Sequence, residues 1–490
     1  MYAWVLGLLS LWADTLALFP WRGGWRDLEV TPRADRGWAF RLRGPLLQVA
    51  YASAAPWSSN TGPVWWAKGW NGLWTFGLAV SGPWLEAELQ PVLWASENAY
   101  FPEPARFRTD PPLPPGWNVR HPMDWRLRPA GTPEGRVELL RGALRLGPEA
   151  LRVGISCSPM WWGVGRRTTL LLAPNAPGFW RGLLEGSLRL PWGGGKITWQ
   201  YALGALAEHP GFDQNPENNR RYWVGLRAQW ELGWAPGLML GAGRVATDYW
   251  PRGSSVLRKG MILLQNPLKR YIVTPQEPEG PERTADQLAS VWMRWLFPKA
   301  DWELYGEWGK GDHSWDLWDL FLEPEHASAY LVGFRKRWRS LSRQTHLAAE
   351  LVHLETPRTI LVRVPGNMFY VHGVVRHGYT HRGRLLGSDV ATNGNLQAIA
   401  LWQVRAHGSW GISAERWTPD VDRFYRLYRS GAAAKAPEVV WRLFLWAERR
   451  VHRYFASGAL MGATRWWNLD YQEGLDSTGW LLSVWLRYRP

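Results

Sequence analysis

The sequence predicts an all-β protein: a transmembrane antiparallel β-barrel of about 16–18 strands, with an irregular N-terminal segment. Three observations predict it. Apolar and polar residues alternate with a period of two in segment after segment. The apolar faces carry aromatic residues near both ends. Trp numbers 39 in 490 residues, a load suited to a boundary where one edge of the ring is wet and the rest is in hydrocarbon.

The alternation is explicit. Val224, Leu226, Ala228, Trp230 and Leu232 share one face, and Trp223, Gly225, Arg227, Gln229 and Glu231 the other. Trp302, Leu304, Gly306 and Trp308 oppose Asp301, Glu303, Tyr305 and Glu307. Tyr330, Val332, Phe334 and Trp338 oppose Gly333, Arg335, Arg337 and Arg339. Ile197, Trp199, Tyr201 and Leu203 alternate with Thr198, Gln200, Ala202 and Gly204. Near the C-terminus, Trp480, Leu482, Val484, Leu486 and Tyr488 oppose Ser483, Arg487 and Arg489, with Leu481 and Trp485 as exceptions. A period of two is a strand, not a helix. Strands of ~9–11 residues with aromatic ends match a bilayer crossing, whereas a soluble sandwich strand of ~5–6 residues needs no such ends. Short turns at 190–195 and 233–237 suit periplasmic hairpins, and polar stretches at 209–221 and 309–326 suit outer loops.

Composition excludes disorder, collagen and a disulfide scaffold, since Cys157 has no partner in the chain. No segment supplies the ~18 uncharged apolar residues of a spanning helix. The net charge is +15, and Lys contributes only eight of the 57 cations, so the charge is mostly Arg. Guanidinium forks suit a partner rich in phosphate or uronate, such as acidic glycan, lipopolysaccharide or nucleic acid; coding bias towards Arg explains the same count.

Residues 1–17 form a candidate secretory signal: an apolar run ends at Thr15, Leu16 and Ala17, although no cation precedes it and Asp14 interrupts it. Residues 18–130 are a Trp- and Pro-rich segment, a candidate plug together with the first strands. Residues 131–490 are the main part of the barrel. Pro-rich stretches at 101–115 and 275–281, and a third stretch at 431–437, read as loops.

Catalytic motifs are missing. Gly241–Ala246 fits a G-x-G-x-x-A pattern, but Thr247, Asp248, Tyr249, Trp250 and Pro251 follow where a dinucleotide site needs a helix. His372, His377 and His381 are spaced by five and four, which does not put all three on one strand face. The acidic run from Asp312 to His326 lacks the ligand spacing of a calcium loop. Glu303 and Glu307 share a face as a glycosidase pair does, but Arg335 and Arg337 are the obvious partners for charge balance.

Two stretches are more specific. Trp161, Trp162, Gly163, Val164 and Gly165 precede Thr169–Pro177, which carries an Asn175-Ala176 pair. Gly378, Tyr379, Thr380, His381, Arg382, Gly383, Arg384, Leu385, Leu386 and Gly387 form the second. Together they resemble the Wzi family of capsule assembly proteins, with Val164 in place of that family's Pro. An acid-rich loop running into AYLVGFR, at 319–335, is also similar. The resemblance spans roughly 137 to the C-terminus. It implies a non-enzymatic barrel in the bacterial outer membrane, without cofactor or metal, that anchors capsular or related surface polysaccharide. Its expected partners are that polysaccharide, outer-membrane lipid and lipopolysaccharide, with no nucleic acid, and it is expected to be a monomer. The candidate polysaccharide-binding or motif residues are Trp161, Trp162, Gly163, Gly165, Asn175, Tyr379, Arg382, Gly383, Arg384 and Gly387. As residues alone, the glycines equally serve tight turns, the two Trp an aromatic girdle, and the two Arg ion pairs with lumen Glu. A porin or solute channel, and a secreted soluble glycan-binding or glycan-hydrolysing β protein, are the alternatives.

Overall fold

A computed structural model describes residues 37–54, 58–101, 123–129, 131–213, 215–250, 260–264, 285–311, 317–356, 369–429, 431 and 436–488. The candidate signal at 1–17 and the loop at 275–281 lie outside the described residues, as does most of 101–115 and of 431–437. Among the described residues, twenty strands follow one another: β1 (Ala39–Ala52), β2 (Gly69–Ser81), β3 (Leu85–Ser96), β4 (Glu134–Leu146), β5 (Arg152–Ser156), β6 (Arg181–Leu190), β7 (Gly195–Ala207), β8 (Arg220–Leu232), β9 (Leu238–Tyr249), β10 (Asp286–Phe297), β11 (Trp302–Lys310), β12 (Ser328–Arg339), β13 (Arg343–His353), β14 (Thr380–His381), β15 (Arg384–Leu385), β16 (Asn395–Arg405), β17 (Gly408–Thr418), β18 (Val439–His452), β19 (Phe455–Trp467) and β20 (Ser477–Tyr488). Eighteen of them form one antiparallel sheet. Strand β13 pairs directly with β16, and β20 pairs with β1, so the sheet closes into a cylinder and no edge is left unpaired. The two-residue strands β14 and β15 form a separate hairpin.

On β20 the pleat sorts the side chains as the alternation predicts, whereas Val224 in the apolar row of β8 is buried in a cluster with Ile262 and Leu263. On β20, Leu482, Val484 and Leu486 are 47%, 58% and 44% exposed, while Leu481, Ser483, Trp485 and Arg487 are buried. An apolar row left bare on the outside of a closed cylinder, with polar groups inside, is the arrangement that hydrocarbon solvates. The exceptions Leu481 and Trp485 point inward. The Trp485 indole donates to Glu448 Oε2 at 2.9 Å. The Trp excess therefore has two destinations. Trp70, Trp74, Trp302 and Trp480 stand on the outer face, whereas Trp66, Trp94, Trp162, Trp223 and Trp466 are fully buried inside.

Connections at one end are as short as 406–407 and 453–454. Those at the other end are long: 97–133, 157–180, 250–285 and 354–394. Short turns mark the periplasmic rim and long loops the outer one. Three strands, β1 to β3, lie within the Pro- and Trp-rich segment. Gly241 and Gly243 are strand residues of β9, so the dinucleotide-like pattern has no helix behind it.

Candidate functional site

The long loops do not all stand in solvent. The β5–β6 loop (157–180) and the β13–β16 connection (369–394) fold back into the lumen with 58–68 and 123–129 and hydrogen-bond to one another there. The sequence dictates why the first loop goes in. It carries Leu170, Leu171 and Leu172, all buried, next to Arg166 and Arg167, which find acids on the barrel wall. Glu350 of β13 accepts three consecutive backbone N–H groups, from Arg166 (2.6 Å), Arg167 (3.0 Å) and Thr168 (3.0 Å), plus the Tyr305 hydroxyl at 3.0 Å. Arg166 pairs with Glu303, which also binds Arg335 at 2.8 Å. The expected Arg337 partner goes elsewhere, to Asp301 at 2.6 Å, and Glu307 accepts from the Ser290 hydroxyl at 2.9 Å.

Arg167 is the centre of this contact. It is 1% exposed, donates in a fork to Asp389 at 2.9 Å and 2.9 Å, and reaches Glu415 of β17 at 2.6 Å. Burial would lower its pKa, but the two carboxylates outweigh that and raise it. Burial likewise raises the Asp389 carboxyl, and the Arg167 guanidinium overrides it, leaving the group below its usual range. Forked charge-assisted bonds of this kind are the strong ones.

All ten candidate residues belong to the plug. Trp161 and Trp162 are buried within it, not in a girdle, and the Trp162 ring packs on Trp223 at 5.6 Å. Gly163 has φ +141°, and a Cβ there would meet the Glu307 carboxylate at 2.3 Å, so only glycine lets the loop approach β11. Gly165 faces Leu331, and Gly387 lies against the Tyr370 hydroxyl. Asn175 donates to Leu385 O at 3.1 Å. Tyr379 stacks on Tyr370 and accepts from the Trp223 indole at 3.2 Å. Gly383, at φ +78°, makes the turn between β14 and β15. Arg382 forks onto Glu138 of β4 at 2.7 and 2.8 Å, an ion pair with a lumen Glu. Among the described residues Arg384 makes no ion pair with a carboxylate. It donates to the carbonyls of Ser58, Gly62 and Val64 and to the Thr61 hydroxyl, and lies over Trp65 at 5.1 Å.

Between the plug and β17–β18 lies a partly open cavity. Trp125 and Trp417 give it aromatic surfaces. Four guanidiniums (Arg126, Arg167, Arg384, Arg442) outnumber its two carboxylates, Asp389 and Glu415. Of the candidates, Asn175 and Arg384 line it. The other lining residues escaped sequence reasoning because they come from separate segments and carry no common motif; only the surplus of Arg hinted at them.

The three histidines do not converge. His381 accepts the Ala207 N–H through Nδ1 at 3.0 Å, and His377 Nε2 lies 2.7 Å from Glu208. Burial, then Arg382 and Arg221, push His381 down to about 3 from its ordinary 6.5. Burial and Arg221 hold His377 at about 3. A base whose pKa falls on folding stabilises the fold above 6.5 and loses that contribution as pH drops towards 3. Glu208 acts oppositely: burial, then Asp213 and Asp124, raise it to about 7, so its protonation favours the fold from there down to 4.5. The plug is therefore expected to keep its hydrogen-exchange protection at Ala207 and 378–385 from pH 7 to 5, and to lose it between about 4.5 and 3 as the His381 acceptor becomes a donor facing a donor. Exchange corrected for its intrinsic rate checks this; protection unchanged at pH 3 would contradict it.

The model of the family described as capsule assembly protein Wzi matches residues 87–405. Among solved structures, an Escherichia coli protein described as Wzi, an outer membrane protein involved in group 1 capsule assembly and a carbohydrate-binding β-barrel, superposes with a TM-score of 0.59 at 14% identity, covering 91% of this chain and 83% of that one. Pseudomonas aeruginosa OccK7 (OpdD) aligns at 10% identity over 93% and 99% of the two chains, with a TM-score of 0.41. No curated protein sequence matches. The match over most of the chain, joined to a closed eighteen-stranded cylinder with an apolar exterior, shows that this chain is a bacterial outer-membrane β-barrel belonging to the Wzi family of capsule assembly proteins.

Proposed function

We propose that this barrel binds and anchors capsular or related surface polysaccharide, and that it catalyses no reaction. The cavity beside Arg167 is the observation that carries the reading. Sugar rings present apolar C–H faces that stack on Trp125, while Arg442 lies over the Trp417 ring at 4.9 Å, and the guanidinium surplus favours uronate or phosphate substituents. Each contact is weak, and repetition along a polymer makes retention strong. A glycosidase needs one carboxyl held protonated and a second beside it in a defined geometry. Asp389 and Glu415 are instead both engaged by Arg167, which favours a binder over a hydrolase. The inward-folded loops weigh against a general solute channel.

Binding of acidic polysaccharide to the purified, detergent-solubilised protein tests this. Trp125→Ala, which removes one stacking surface, is expected to weaken binding roughly 2- to 13-fold, the scale of about 0.5–1.5 kcal/mol for an aromatic contact. Its heat-modifiable gel mobility is expected to stay that of a folded barrel. A folded variant that binds like the parent, or a parent that binds no glycan, would sink the proposal.

A further inference from the structure

We propose that the outer mouth of the barrel holds a divalent cation of the zinc class between Glu208 and Asp213 of the β7–β8 loop and His377 of the plug. One ligand atom from each of the three lies within 4.8 Å of the others. The residues come from chain segments more than 160 positions apart, so no local turn explains their meeting.

Several polar atoms in this corner have no partner. The His377 side chain is fully buried, packed on Phe212 at 4.5 Å, and its Nδ1 has no hydrogen-bond partner. Asp124, also fully buried, fixes the two segments together: its N–H donates to His377 O at 3.0 Å, and its Oδ2 accepts the His209 and Gly383 amides at 3.0 and 3.2 Å. Its Oδ1 has no partner. Asn218 grips Asp213 Oδ2 through Nδ2 at 3.1 Å, which leaves the Asn218 Oδ1 beside Asp213, buried and unpartnered. Buried polar atoms are normally satisfied, so these orphans mark unmet polar demand in the segments that bring Glu208, Asp213 and His377 together.

The donor set chooses the class. One imidazole and two carboxylates with no thiolate suit zinc or manganese, whereas calcium takes six to eight oxygens. At zinc bond lengths of about 2.0–2.2 Å, tetrahedral ligands stand roughly 3.3 Å apart. The Glu208–His377 pair, now 2.7 Å apart, opens slightly to admit the ion, and Asp213 swings in from the exposed rim. The ion then ties the outer loop to the segment bearing the Tyr379–Gly387 motif.

Titration of the tag-free, EDTA-stripped full chain in detergent with zinc chloride, followed by calorimetry, is the test. One equivalent is expected to bind. Asp213→Asn, at an exposed position, and Glu208→Gln are each expected to weaken it by at least about 10-fold, the least that losing even an outer partner of a metal ligand costs. Asp213→Asn is expected to retain the metal-free melting temperature while losing the zinc-induced rise. Absence of saturable one-to-one binding, equal affinity in both variants, or saturation by calcium chloride where zinc chloride is silent would overturn the proposal.

Discussion

Replacing Arg167 by alanine is expected to loosen the plug while leaving the cylinder standing. The side chain is 1% exposed, and its removal leaves Asp389 and Glu415 as buried carboxylates without their guanidinium. Breaking a buried pair by deleting one partner costs about 3–5 kcal/mol, because the remaining charge is stranded out of water. The wall does not depend on it, since every strand stays hydrogen-bonded to both neighbours. Protease accessibility within 157–180 should therefore rise by two orders of magnitude or more while heat-modifiable mobility persists, as a few kcal/mol of local opening requires. Unchanged accessibility would mean that Glu350, which grips the neighbouring backbone, holds the loop alone.

Val484→Arg is expected to fail at assembly. Val484 stands on the outer face of β20, midway between the aromatic residues Trp480 and Tyr488, and is paired with Val49 of β1 and Ala459 of β19. A guanidinium at the bilayer midplane costs about 2–4 kcal/mol. The position also lies on the seam where the first and last strands close the barrel. Refolding into vesicles, read by gel mobility, should drop by about 30-fold or more at equilibrium, the factor that 2 kcal/mol sets. Refolding equal to the parent would show that this face does not meet hydrocarbon.

Both predictions rest on features that differ in how visible they are in the sequence. The outer wall is visible: β11 alternates cleanly, and β12 and β20 do so with Lys336, Leu481 and Trp485 as exceptions, because one side of each faces lipid and the other a polar lumen. Strands β1 and β3 are harder to see because each contains a proline, and both prolines sit where the pairing register shifts, at Arg43/Leu46 and Gln90/Pro91. A strand tolerates Pro at such irregularities, where a ladder bond is already missing. The plug has no period to read. Its order comes from acids on distant strands, Glu303, Glu350 and Glu415, which meet Arg166 and Arg167 only after the cylinder closes. The motif residues all fall in the inward-folded loops, although the sequence places its candidate plug at 18–130, and nothing in their spacing tells that Trp162 and Tyr379 are fully buried or that Arg384 is held by carbonyls. The pairing of Glu208 with His377 is equally invisible, since nothing in either segment announces the other.

Ion conductance across a planar bilayer tests the central claim, that the lumen is filled by its own loops and serves retention instead of transport. The parent protein is expected to insert without stable channels, and Arg167→Ala to give intermittent openings as its plug loosens. A large, steady conductance from the parent protein would contradict the account and make the molecule a pore.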